Sequence, residues 1–217
     1  MKRKASMTRC LFLLFTAFYL AAAGNLSAQH LPAQGIVNDT LLFVFKLHGQ
    51  TRRYKMSFRM EHDSLHLYWG IERNLKWQSG SYIVSPEGID RGTRLNFLQP
   101  EDGRHVRLAP EETAYFLSRN AYRQLKEQHS FVYNQVIYSL SETENEAEKE
   151  SKEALGYPLL HVKDAAEGGE MWILDCPQLP LVWRMRNNPL EINWEVSLET
   201  GYNTPARWIY EPLKRPF

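Results

Sequence analysis

Apolar and polar residues alternate with a period of two over much of the chain between Thr40 and Leu198, the pattern of half-buried β-strands. Thr40–Leu47 (TLLFVFKL) is apolar at consecutive positions instead, and reads as a central strand covered on both faces. After a turn at Gly49-Gln50, Tyr54, Met56, Phe58 and Met60 alternate with Arg53, Lys55, Ser57 and Arg59, which predicts a strand with one wet, basic face. His62-Asp63-Ser64 and Arg73-Asn74 mark two further turns, with Leu65, Leu67, Trp69 and Ile71 between them and a returning strand over Trp77–Val84. Neighbouring strands joined by turns this short predict an antiparallel meander.

Ser85–Gly92 reads as a turn-rich break. Thr93–Leu98 and Arg104–Leu108 flank Pro100-Glu101-Asp102-Gly103 as a hairpin would. Thr113–Leu117 is a candidate short strand. Ser118 is placed to cap a helix over about 119–128, with Tyr122 and Leu125 facing inward. Ser130–Leu140 reads as one strand. Leu159–Val162, Glu170–Leu174, Leu179–Arg186 and Leu190–Leu198 are also strand-like. The expected fold is therefore mainly β: an antiparallel meander forming a curved sheet, sandwich or barrel, with one short helix.

Met56–Ile71 (MSFRMEHDSLHLYWGI) and Leu181–Val196 (LVWRMRNNPLEINWEV) echo each other without a gap, with Arg, Met, Leu and Trp identical and turn residues in the middle of both. The echo predicts two superposable hairpins whose apolar faces share a core. Met56, Phe58, Met60, Leu65, Leu67, Trp69 and Ile71 are then buried, and so are Leu181, Trp183, Met185, Leu190, Ile192, Trp194 and Val196.

Composition changes this picture at the chain's start. Residues 1–10 are basic, and Leu11–Ala23 is a 13-residue apolar run followed by Gly24-Asn25-Leu26-Ser27-Ala28. This is the layout of a secretory signal peptide, with cleavage expected after Ala28, or else at Ala23 or Gly24. The run is short for a membrane anchor, which needs about 20 apolar residues. The expectation is a leader over 1–28 and a single β-rich domain over 29–217, exported to the periplasm, the outer surface or the medium, with no transmembrane segment once the leader is removed. The first 28 residues hold four of the 26 basic residues and no acid, which leaves 22 basic against 25 acidic residues. A mildly acidic mixed surface argues against a nucleic-acid partner. An acidic linker is expected at about 141–154, where Glu142–Glu153 holds six Glu and two Lys, and a Pro-containing tail at Thr200–Phe217.

Familiar catalytic motifs are missing: the chain has no HExxH, GxSxG, GxxxxGK[ST] or CxxC. His62 and His66 have the i, i+4 spacing of a helical metal pair, but on a turn and strand they are too far apart to chelate, so no metal and no cofactor is expected. Beyond the leader Cys176 is the only cysteine. It reads as a small buried residue at a strand end, or as a nucleophile if a histidine such as His161 approaches it. Six Trp and eleven Tyr serve mainly a core. Tyr68 and Tyr133, whose facing the pattern leaves open, and the basic stripe of Arg53, Lys55 and Arg59 are the candidate binding residues.

The ending Ser27-Ala28-Gln29 resembles the leaders of exported proteins in Bacteroidetes-type bacteria. Asp63-Ser64-Leu65-His66-Leu67-Tyr68-Trp69, Gly80-Ser81-Tyr82, Pro180-Leu181 and Asn188-Pro189-Leu190 resemble uncharacterised β-rich exported proteins of that group, over about residues 38–198. The resemblance implies a fold and transfers no site. It also implies an O-glycosylation pattern at Asp39-Thr40-Leu41 and Asp63-Ser64-Leu65. The leading expectation is a non-enzymatic envelope protein that binds an apolar small molecule, a glycan or an envelope protein. The alternatives are a glycan-binding or adhesion module with a row of exposed Trp and Tyr, and a hydrolase using Cys176 or a carboxylate pair.

Overall fold

A computed structural model describes residues 40–97, 101–141 and 158–198. The first four strands are β1 (Leu41–Leu47), β2 (Gln50–Glu61), β3 (Ser64–Arg73) and β4 (Lys76–Val84). Helix α1 (Pro86–Arg91), β5 (Arg94–Leu95), β6 (His105–Arg107), β7 (Glu112–Thr113) and helix α2 (Arg119–Gln128) follow. The second half holds β8 (Ser130–Tyr133), β9 (Val136–Leu140), β10 (Leu159–Asp164), β11 (Glu170–Leu174), β12 (Val182–Arg186) and β13 (Ile192–Leu198). Eleven strands make one sheet in the order β6-β4-β3-β2-β1-β13-β12-β11-β10-β9-β8, and β5 pairs with β7 in a separate ribbon. The large sheet is antiparallel except at β4–β6 and does not close into a barrel.

The central strand is β1, as its doubly apolar run predicts. Leu41, Phe43, Phe45 and Leu47 are buried on one face, while Leu42 and Val44 are half-buried on the other. It pairs with β2 on one side and β13 on the other, joining a front meander to a back one. Tight reversals sit at His48-Gly49, Asn74-Leu75 and Asn134-Gln135, where both residues of each pair have positive φ.

One face of the sheet packs on the segment from α1 to α2. Tyr115 sits at the centre of this core, its ring 5.3 Å from Phe43, 5.7 Å from Phe45 and 5.4 Å from Trp194. The backbone there is tied to the sheet, since Val182 N donates to Tyr115 O at 2.7 Å and Leu117 N donates to Pro180 O at 3.0 Å. Ser118 caps α2 by accepting from Ala121 N at 3.3 Å, and its hydroxyl donates to Gly92 O at 2.7 Å. Tyr122 and Leu125 face the core, as the sequence predicts.

Several expectations need correction. Ser85–Gly92 contains helix α1, with the Ser85 hydroxyl accepting from Gly88 N at 3.2 Å and Pro86 beginning the first turn. Residues 93–108 are not a hairpin: β6 lies parallel to β4, and β5 parallel to β7. Ser130–Leu140 is two strands, because Asn134-Gln135 adopt the paired left-handed conformation of a two-residue turn. Asn134 also links this turn to the ribbon, as its side-chain amide accepts from Leu95 N at 3.0 Å and donates to Leu95 O at 3.2 Å. Of the candidate strand at 113–117 only Thr113 lies in a strand, the second residue of β7, followed by a single bridge from Phe116 to Leu181.

The echoing segments both form antiparallel hairpins, but in different registers. Met56 pairs with Trp69 in the first. The matching Trp194 pairs with Met185, not with Leu181 four residues earlier. The first hairpin turns through His62-Asp63. The second uses a longer loop organised by Asn188, whose side chain accepts from Leu190 N at 2.8 Å and whose carbonyl accepts from Glu191 N at 2.8 Å. Period-two patterning around a polar turn is enough to produce the likeness. Met60 and Leu190 are about half exposed rather than buried, Met60 near the end of β2 and Leu190 within the loop before β13. Ile192 is half-buried, and the other residues expected inside are buried. The leader, the acidic run over 142–153 and the tail lie outside the described residues.

Candidate binding face

Four of the five candidate residues converge on the sheet face opposite the helices. Arg53, Lys55 and Arg59 occupy alternate positions of β2 out of phase with the buried Tyr54, Met56 and Phe58. Tyr68 joins them because β3 pairs Tyr68 with Ser57 and His66 with Arg59. The face continues into β4 and β6 through the pairs Tyr68–Ser81 and Ser81–His105.

The side chains interleave cations with rings. Lys55 Nζ lies 5.8 Å from the centre of the Trp77 ring, and the Arg59 guanidinium 5.9 Å from that of Tyr68. Tyr68 stacks on His66 at 6.0 Å, and its hydroxyl donates to Glu61 Oε1 at 2.6 Å. Glu61 also lies 3.6 Å from His66 Nδ1. Trp77, which sequence reasoning did not single out, is 46% exposed. Its signal was its phase: Trp77 alternates with the inward series that ends in Tyr82 and Val84.

Tyr133 does not belong to this face. It is fully buried, its hydroxyl accepting from Ser118 N at 3.0 Å and lying 3.0 Å from Thr113 Oγ1. Burial pushes its phenol above the ordinary tyrosine range, and these hydrogen bonds oppose the shift. It ties α2 to the ribbon rather than meeting a ligand.

A second cluster lies farther along the same face. One rung crosses six strands through Arg53, Val44, Glu195, Arg184, Trp172 and His161. Arg184 is ion-paired with Glu195, and its guanidinium stands 5.4 Å from the Trp172 ring, with Arg186 at 5.6 Å. His161 stacks on that indole and meets Glu170 Oε2 through Nε2 at 2.7 Å. His161 and Trp172 are both buried. Its internal pairing makes this cluster a structural clasp between strands.

Cys176 is buried, and its thiol contacts Gln178 Oε1 at 3.3 Å. The neighbouring Asp175 is held by Tyr122 at 2.5 Å and by Lys126 at 3.0 Å through both oxygens. His161 is taken up by Glu170 and Trp172. The cysteine chemistry considered from sequence therefore has no accessible thiol, and no base is assembled beside it among the described residues. Ser81 Oγ lies 2.9 Å from His105 Nδ1, but Ser81 is only 2% exposed and closed to a substrate. His62 lies on an exposed turn apart from the His66–Glu61 pair, and no three His, Cys, Asp or Glu gather as metal ligands among the described residues. No helix among them is long and apolar enough to cross a membrane.

The arrangement can hold a negatively charged group against cations while a ring or apolar body rests on Trp77 and Tyr68. Comparison with protein-family models, curated proteins and solved structures found no match to this chain.

Proposed function

We propose that the protein is an exported, non-enzymatic envelope protein that binds an anionic ligand with a planar or apolar body on the outer face of β2–β4. The observation that carries this reading is the placing of Lys55 over Trp77 and Arg59 over Tyr68 on one face of the sheet. Cations and rings so arranged supply attraction for charge and a flat surface for packing. The leader layout at 1–28 supports export. A glycan-binding role is the second reading, favoured by the exposure of Trp77. Because Trp69, Trp172, Trp183 and Trp194 are buried, it takes the form of one acidic sugar on one indole rather than a row of stacked rings.

Thermal shift against acidic glycans, their neutral counterparts and anionic amphiphiles tests both. A ligand that binds only the folded state raises the melting temperature by mass action. Stabilisation by an anionic class is expected, and its loss in the triple variant Arg53→Glu, Lys55→Glu, Arg59→Glu. No stabilisation by any anionic class, or an equal response from the variant, overturns the reading. N-terminal sequencing of the exported protein should begin at Gln29.

A further inference from the structure

The turns at His48-Gly49, Asn74-Leu75 and Asn187–Glu191 all lie at one end of the sheet, because each joins an upward strand to a downward one in the same antiparallel array. Leu75 is the outlier there. It is 93% exposed and has φ +60. Left-handed backbone is disfavoured for a residue with a Cβ, and this second position of a two-residue turn normally takes Gly. A branched apolar side chain at this place disfavours the local conformation and gains nothing from burial. Such an outlier points to a role outside the fold.

The surroundings indicate the role. Arg73-Asn74-Leu75-Lys76-Trp77 puts an apolar tip, an indole and two exposed cations within five residues. Leu190, 55% exposed, projects from the Asn187–Glu191 turn at the same end, and Lys46 is exposed at the end of β1. At the opposite end Met60 is, among the described residues, the large apolar residue exposed near a turn. A fluid lipid surface receives separate apolar tips without a complementary shape. Indoles favour its interface, and Lys and Arg are drawn to anionic headgroups.

We propose that this end of the sheet docks peripherally on an anionic membrane surface, with Leu75 inserted, Trp77 at the headgroup level and Arg73 and Lys76 on phosphates. The protein, expressed from its full sequence and purified as the processed chain, is sedimented with vesicles of phosphatidylcholine alone or mixed with phosphatidylglycerol. Binding to the mixed vesicles is expected, and much weaker binding to the neutral ones. Leu75→Gly should weaken partitioning about tenfold or more, the effect of withdrawing one buried Leu. Gly suits φ +60, so a lost fold cannot explain that result, and an undiminished melting temperature verifies it. Arg73→Glu with Lys76→Glu should weaken binding by about tenfold or more. Arg59→Gln, which removes the cation over Tyr68 and leaves Lys55 and Trp77 in place, should still bind vesicles, which separates this surface from the ligand face. Absence of wild-type sedimentation with anionic vesicles, or full binding by Leu75→Gly, overturns the proposal.

Discussion

The indole of Trp172 lies flat on the imidazole of His161, ring centres 4.3 Å apart and planes 7° from parallel. Both rings are buried on the sheet face away from the helices, with the guanidinium groups of Arg184 and Arg186 also against the indole. This stack fastens β10, β11 and β12. Trp172→Ala should therefore cost about 3–5 kcal/mol, as for other buried aromatic truncations. Trp172→Phe should cost less, since it keeps a ring and removes a buried Nε1–H that has no partner among the described residues. Urea unfolding of the two variants decides it, and a near-neutral Ala variant would show that the stack carries no stability.

The tryptophans should separate into two classes. Trp69 and Trp194 lie in the shared core, and Trp194 Nε1 donates to Val182 O at 2.8 Å. Each Ala variant should lose about 3–5 kcal/mol. Trp77→Ala should lose less than about 1 kcal/mol, in keeping with its half exposure. Equal losses at Trp77 and Trp69, measured by chemical denaturation, would contradict this division.

The buried half of that division was legible in the sequence, whereas the exposure of Trp77 was not drawn from it. Alternation alone put Trp69, Trp194, Met56 and Leu67 inside and Arg53, Lys55 and Arg59 outside. Hairpin register was not legible, because a period of two survives any even shift. Trp194 therefore keeps its facing while pairing with Met185 instead of Leu181. Helix α1 was missed although Ser85-Pro86-Glu87 carries a cap, a first-turn proline and a first-turn acid, since six residues are too few to show helical periodicity. The facing of Tyr133 depended on Asn134-Gln135 being a turn. The cation–ring contacts of the binding face depend on which strands become neighbours, which no local pattern contains.

Gly80 should tolerate no side chain. A Cβ there would stand 2.3 Å from Arg104 O and 2.8 Å from Trp69 Cζ2. The same Arg104 carbonyl accepts from Ser81 N at 2.9 Å, at the seam between β4 and the chain entering β6. Gly80→Ala should cost about 1–3 kcal/mol and loosen that seam. Faster hydrogen exchange at Ser81 is the expected signature, and an unchanged rate with an unchanged melting temperature would refute it.

Alkali should unfold the protein. Burial raises the phenols of Tyr82, Tyr115 and Tyr122 well above their ordinary range, and that of Tyr138 to about 12 with help from Asp164 and Glu167. Above about pH 10 the unfolded chain loses phenolic protons that the native state keeps, so stability falls as pH rises. It is fully present below about pH 10, and each such tyrosine removes about 1.4 kcal/mol per pH unit until its native value is reached. Ultraviolet absorbance should show the phenolates appearing together with unfolding. Full titration near pH 10 with native circular dichroism retained would rule this out.

The pairing of β1 with β13 has a consequence for how the chain reaches this fold. Leu41 meets Leu198, so the central seam joins the first described strand to the last. The front meander can zip locally, but β1 keeps one bare edge until β13 arrives. Such distant pairing makes folding slow. A chain cut before Ile192 would present Leu41–Leu47, apolar on both faces, as an open edge strand. That edge is a template for aggregation, so truncation at the C-terminal side should yield insoluble protein rather than a smaller domain.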